Sequence, residues 1–181
     1  MHAVCRASAG FTLAEVLVAL FVVALGIAGA AGVQAMALRS GREAARIADG
    51  VQLAATLAER MRANRAVMVL ADDANPYLQL DFDSAAASPP AAGACFGNSN
   101  CGAGQLAQFD LAEVTHDLAA RFPGGRILAC RDAAAPAASG LPSWTCDHQP
   151  GAPVVIKLGW REPGDAAAVP RVLLPVAGGG A

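Results

Sequence analysis

The sequence predicts an α+β chain. A long N-terminal helix, apolar in its first half and amphipathic in its second, packs on a head made of a small antiparallel sheet and a second helix. Three observations carry this prediction. Val16 to Val33 contains no polar or charged side chain. Helical periodicity then continues to about residue 64. Beyond residue 123, short alternating segments are separated by Pro/Gly turns, the pattern of antiparallel strands. A length of 181 residues suits one globular domain with an added element.

The apolar run comes first. At 1.5 Å per residue it is about long enough to cross a hydrocarbon core of ~30 Å. A cleaved secretory signal places its small-residue cleavage site after the apolar run. Here the small residues Ala7-Ser8-Ala9-Gly10 precede it. A cut after Gly10 removes a short leader (residues 1–10, with Arg6 and Cys5) and leaves the apolar segment, residues 11–38, on the mature chain. Glu15 is the only charge between Arg6 and Arg39. A carboxylate at membrane depth costs at least ~2.5–3.5 kcal/mol, so it calls for a partner or a place at headgroup level. The cation nearest in sequence is the α-amino group that cleavage would create at Phe11, and geometry favours the amine of a neighbouring, axially shifted subunit.

Residues 39–66 form the amphipathic half. Ala44, Ile47, Val51, Ala54, Ala58 and Met61 recur at three- and four-residue steps, while Arg42, Glu43, Arg46, Asp49, Glu59 and Arg60 take other faces. No proline occurs before Pro76, so the helix is expected from about Phe11 to about Asn64, roughly 80 Å at 1.5 Å per residue. Gly26, Gly29 and Gly32 offer either a groove for close helix packing or simply an Ala/Gly-rich helix without a special role.

The head, residues 67–181, opens with the Asn75-Pro76 turn. A loop follows over 85–93, then a helical pattern from Leu106 to Phe122 closed by Pro123-Gly124-Gly125. Strands are expected at Arg126–Cys130, at Val154–Trp160 as a half-buried strand, and at Val169–Val176. The last contains Pro170 and Pro175, which suit a sheet edge. The terminal Gly178-Gly179-Gly180-Ala181 is expected to fray.

Five cysteines are present. With Cys5 in the leader, Cys95, Cys101, Cys130 and Cys146 remain, an even number that suggests disulfides outside the cytoplasm. Three connectivities are open. Local pairing, 95–101 and 130–146, is preferred because each pair encloses a loop rich in small or turn-forming residues. No spacing is C-x2-C, so the cysteines do not read as a metal site, and no cofactor is called for. The net charge of −2 and the lack of a basic run give no support for nucleic-acid binding. No G-x-S-x-G elbow, Walker A loop or H-E-x-x-H occurs, so the chain does not read as an enzyme. His116-Asp117 reads as a solvated helix face and Cys146-Asp147-His148 as a disulfide with polar neighbours. Asp72-Asp73 reads as an acidic loop rather than a calcium site, and Trp160 as core.

Gly10-Phe11-Thr12-Leu13-Ala14-Glu15, opening an apolar helix, resembles the class III signal of type IV pilins and type II secretion pseudopilins. The resemblance implies a type IV pilin-like fold, cleavage between Gly10 and Phe11 by a prepilin peptidase, and N-methylation of Phe11. It also implies that Glu15 guides assembly by meeting the Phe11 amine of another subunit. A narrower resemblance runs from Cys95…Cys101 through Phe109-Asp110-Leu111 and Phe122-Pro123-Gly124-Gly125 to the Trp160-ending strand. It points to the PilV family of minor pilins, with Val114 and Phe122 where that family tends to carry Trp and Leu. PilV-like character implies a role in initiating or priming pilus assembly. The implied partners are other major and minor pilins, the prepilin peptidase, the inner-membrane assembly platform and the membrane itself before assembly. The implied location is the inner membrane, single-pass with a periplasmic head and Arg6 on the cytoplasmic side, and then the pilus. A pseudopilin of type II secretion shares the N-terminal chemistry. A signal-anchored periplasmic enzyme would need an uncleaved N-terminus and a catalytic site.

Overall fold

A computed structural model describes residues 10, 12–96, 99–133 and 142–176. Residues 1–9 with Cys5 and Arg6, Phe11 and the terminal Gly178-Gly179-Gly180-Ala181 lie outside the described residues. The chain divides into two units, Met1–Ala45 and Arg46–Ala181.

Helix α1, Leu13–Ala63, begins in the first unit and supplies residues 46–63 to the second. In the first unit its apolar side chains are uncovered: Val18, Leu20, Phe21, Val22 and Leu25 are each more than half exposed. Its apolar window reaches a mean hydropathy of 2.6, long and apolar enough to cross a membrane.

The second unit is built on a four-stranded antiparallel sheet in the order β1 (Asp81–Asp83), β2 (Arg126–Arg131), β3 (Val154–Trp160), β4 (Val169–Pro175). The strand bearing Pro170 and Pro175 is an edge. Residues 46–63 of α1 bury Gly50, Leu53, Ala54, Leu57, Ala58 and Met61, a stripe at the three- and four-residue spacing that turns one helical face inward. The facing side of the sheet supplies Ile127, Ala129, Val154, Ile156, Leu158 and Trp160, all inaccessible to solvent. Each large aliphatic side chain buried there contributes about 1.5–3 kcal/mol. Gly50 fixes how closely helix and sheet approach. A Cβ there would lie 3.1 Å from the Trp160 ring, 3.3 Å from Leu158 and 3.3 Å from Val172. At Gly159, where the β3–β4 register shifts, a Cβ would fall 2.0 Å from the Val169 carbonyl oxygen. Only glycine lets the two backbones pass at that bulge.

Helix α3, Ala103–Arg121, completes the core with Ala107, Val114 and Leu118, followed by Phe122. It begins three residues before the hydrophobic pattern does, because Gln105 Oε1 accepts from the Gly102 N–H at 3.0 Å and holds the first turn. It runs antiparallel to α1: Arg60 meets Asp110 and Glu113, whereas Asp49 meets Arg121. A four-residue helix α2, Arg65–Met68, and a 3-10 turn, Pro76–Gln79, link α1 to β1.

One strand expectation is corrected. β3 is not half-buried: Lys157 and Gly159, on the face away from α1, are buried as well. The cause is the 142–146 segment. Cys146 is bonded to Cys130 of β2, and Trp144 donates its indole N–H to the Ala168 carbonyl at 3.0 Å. The Arg126 guanidinium stacks 4.8 Å from the Trp144 ring centroid, so this segment lies over the second face of the sheet.

Candidate functional site

The candidate site is the start of α1. Gly10 is exposed and outside any regular element; Thr12 is the helix cap. Thr12 Oγ1 accepts from the Glu15 N–H at 3.3 Å, and Glu15 Oε2 accepts from the Thr12 N–H at 3.0 Å and from its hydroxyl at 3.1 Å. The first helical bond, Val16 N–H to the Thr12 carbonyl, follows at 3.3 Å. This reciprocal arrangement satisfies donors that a helix N-terminus leaves open, and it places a carboxylate where the helix dipole favours one. Both of these contacts use Oε2, which orients the carboxylate, and among the described residues Oε1 is left to accept from a further donor. Below it, Val16, Ala19, Leu20 and Val23 line a shallow apolar groove on one helix face. A positioned anion above an exposed apolar face can recognise a cation carried on another apolar helix.

Thr12 was not singled out by the sequence reading. The T-x-x-E spacing before an apolar run was the available signal. Gly26, Gly29 and Gly32 have nothing within 4 Å of where a Cβ would stand, so their small size answers to no contact among the described residues.

The other singled-out residues lie elsewhere. Cys95 is bonded to Cys101 and Cys130 to Cys146, with Cα–Cα distances of 5.8 and 6.4 Å. Cys146 is thereby no free thiol; Asp147 accepts from the Ala133 and Gln149 N–H groups at 3.0 and 3.1 Å. His116 and Asp117 are exposed on α3. Asp72 spends its carboxylate on Arg131, both oxygens 2.8 Å from Nε.

A polar cluster that periodicity could not reveal ties α1 to α3. Asp110, 5% exposed, receives Arg60 Nη1 at 3.0 Å on Oδ1 and the Tyr77 hydroxyl at 2.6 Å on Oδ2. Asn64 donates to the Ala103 carbonyl at 2.8 Å and to the Tyr77 oxygen at 3.3 Å. Burial, and then the bond to Asp110, push the Tyr77 hydroxyl pKa well above its ordinary range. Every member is hydrogen-bonded, so the cluster reads as a structural tie rather than a reactive site.

Residues 5–31 match the prokaryotic N-terminal methylation motif, and residues 32–112 match the Tt1218-like family, described as type IV pilin Tt1218. The two matches meet inside α1 and together reach the middle of α3; β2, β3 and β4 lie beyond them. No curated protein and no solved structure matches the chain significantly.

Proposed function

We propose that this chain, a type IV pilin-family protein with an N-terminal methylation motif, is a minor pilin of the PilV kind that helps initiate or prime a type IV pilus. The observation that carries the reading is a positioned carboxylate, Glu15, opening a long and uncovered apolar helix directly after Gly10. Residues 1–10 form the leader, 11–38 the membrane and filament-core half of the helix, 39–66 its amphipathic half, and 67–181 the head. Prepilin peptidase cuts between Gly10 and Phe11, and Phe11 is N-methylated. Glu15 then pairs with the Phe11 amine of a neighbouring pilin. That pairing offsets the ~2.5–3.5 kcal/mol or more of carrying a carboxylate into hydrocarbon and sets the axial register. Apolar contacts between helices stabilise the filament thereafter, and the pilus assembly platform receives the subunit from the inner membrane.

The head is placed in the periplasm. Arg39, Arg42 and Arg46 follow the apolar run while the leader carries Arg6, so flanking charge alone does not favour this orientation. Long domains cross largely regardless of such charges, and two disulfides favour an oxidising compartment. The family match suits a pilus or a pseudopilus subunit; the PilV-like features between Cys95 and Trp160 favour the pilus.

Two variants test the pairing. Glu15→Ala removes the carboxylate; Thr12→Ala removes the cap hydroxyl and leaves the carboxylate. If pairing operates, Glu15→Ala lowers recovery of the subunit in sheared filaments by about tenfold or more, the effect of losing a charge-assisted bond worth ~1.5–3 kcal/mol. Thr12→Ala has a smaller effect, and both membrane pools keep their disulfides. Wild-type recovery of Glu15→Ala would sink the pairing; equal defects in both variants would reduce Glu15 to a helix cap.

A further inference from the structure

Lys157 is the only lysine in the chain and is 1% exposed. It sits in the middle of β3, between Leu128 of β2 and Leu173 of β4, on the sheet face turned away from α1. Its Nζ lies 2.5 Å from Asp132 Oδ2 and donates to the Ser143 and Thr145 carbonyls at 3.0 and 2.5 Å. An ammonium has three donors, and three oxygens meet them. A buried ammonium without such partners pays heavily in desolvation, so Lys157 stays buried only while this cage is closed.

The cage is assembled from the two segments joined by one disulfide. Asp132 closely follows Cys130, and Ser143 and Thr145 closely precede Cys146. Cys130 itself lies in β2 opposite Val155 of β3. Among the described residues, the 142–146 segment is also held by the Trp144 stack on Arg126 and by its indole bond to Ala168, and just beyond it Asp147 accepts from the Ala133 N–H at 3.0 Å and the His148 N–H donates to the Arg131 carbonyl at 3.1 Å. The core between α1 and the inner sheet face uses none of these groups.

We infer that the Cys130–Cys146 disulfide is a redox latch for the 142–146 segment. Oxidation docks the two carbonyls on Lys157 and closes the second face of the sheet; reduction releases the segment and uncovers the ammonium, while the α1-facing core stays intact. In the closing step the two thiols give up two protons and two electrons to the disulfide of an exogenous oxidant, by thiol–disulfide exchange, and that oxidant leaves as a dithiol. The latch stands independently of any role in filament assembly. It makes this face of the head a property of the oxidised chain alone.

The only lysine is a single-site reporter. In the test, the full-length chain in detergent is treated with the N-hydroxysuccinimide ester of acetic acid, and acetylation of Lys157 is followed by peptide mass. Wild type is compared with the Cys130→Ser, Cys146→Ser double variant, which keeps Cys95–Cys101. The bond closes a loop with a sequence separation of 16. Losing it should raise the open population, and with it the Lys157 acetylation rate, roughly a hundredfold. Amide protection of β3 and of the buried α1 stretch 53–61 should be retained. An unchanged Lys157 rate would overturn the latch, since the cage would then stand without it. Loss of β3 and α1 amide protection together with Lys157 exposure would also overturn it, making the bond a support of the whole core.

Discussion

Gly50 is where the close approach of α1 to the sheet can be tested most sharply. In an exposed helix, Gly→Ala stabilises by about 1 kcal/mol through backbone entropy. At Gly50 the added methyl meets Trp160 at 3.1 Å and both Leu158 and Val172 at 3.3 Å, inside the ~3.5–4.0 Å of an unstrained carbon contact. All three neighbours are buried, so none can swing into solvent. Overpacking of this kind costs about 1–3 kcal/mol, which cancels or outweighs the helical gain. Gly50→Ala is therefore expected to be neutral to about 2 kcal/mol destabilising. Gly50→Leu, with three further carbons to place, should exceed the upper end of that overpacking range. At roughly 3 °C per kcal/mol for a domain of this size, Gly50→Leu should lower the melting temperature by about 9 °C or more. Thermal melts of the detergent-solubilised chain, followed by near-UV circular dichroism, read this directly. Trimming a wall with Val172→Ala should partly rescue Gly50→Ala, with a coupling of at least ~0.5 kcal/mol. A Gly50→Leu protein that melts with wild type, or a stabilised Gly50→Ala with no coupling to Val172, would refute the packing argument.

Two other groups give predictions of their own. Tyr77→Phe leaves Asp110 Oδ2 without the hydroxyl it holds at 2.6 Å and should cost about 1–3 kcal/mol in urea denaturation. Tyr77 is the only tyrosine, so phenolate absorbance should be missing at pH values that ionise free tyrosine. Because its folded pKa is raised, the stability it provides is present below its ordinary value of 10.0 and falls as pH rises from there toward the folded value. A phenolate appearing at its ordinary pH in folded protein would contradict the buried Tyr77–Asp110 bond. Glu162 has the opposite sign. The Trp160 indole N–H at 2.7 Å, and with it Arg46 at 2.9 Å, hold its carboxyl below the ordinary range against the opposing effect of burial. Its contribution is present above the unfolded value near 4.5 and is lost as pH falls through the folded one. Glu162→Gln should thus lower stability at neutral pH and flatten the acid limb of the stability profile; an unchanged acid limb would show that this carboxylate contributes nothing.

The α+β architecture was legible because its parts announce themselves through periodicity. The α1 periodicity, the Leu106-to-Phe122 pattern and the Val154–Trp160 segment all correspond to elements of the fold, but of the α1 stripe only Ala54, Ala58 and Met61 are buried: Ala44, Ile47 and Val51 are exposed, and Gly50, Leu53 and Leu57 complete the inward face. β1 was not legible. Asp81-Phe82-Asp83 has two residues of low strand propensity; it pairs with β2 with Phe82 buried in the core and Arg126 of β2 bonded to Asp81 across the edge. Lys157 reads in sequence as the solvent side of a strand. Its burial depends on a segment that folds back from Ser143 and Thr145, and no local pattern encodes that. Gly50 reads as a weak point in a helix until the partner sheet is seen. At the candidate site the opposite holds. Thr12 and Glu15 are three residues apart, and the first turn of a helix brings such residues together by itself, so the motif carried the geometry of the cap.

The proposed assembly role depends most on the chemistry at Gly10 and Phe11. The direct measurement is the mature N-terminus, by mass spectrometry of protein recovered from its native membrane and from sheared filaments. A terminal peptide beginning at N-methylated Phe11 is expected in both fractions. An intact Met1 leader on natively expressed, filament-associated protein would contradict it, because the amine that Glu15 is proposed to meet would then not exist.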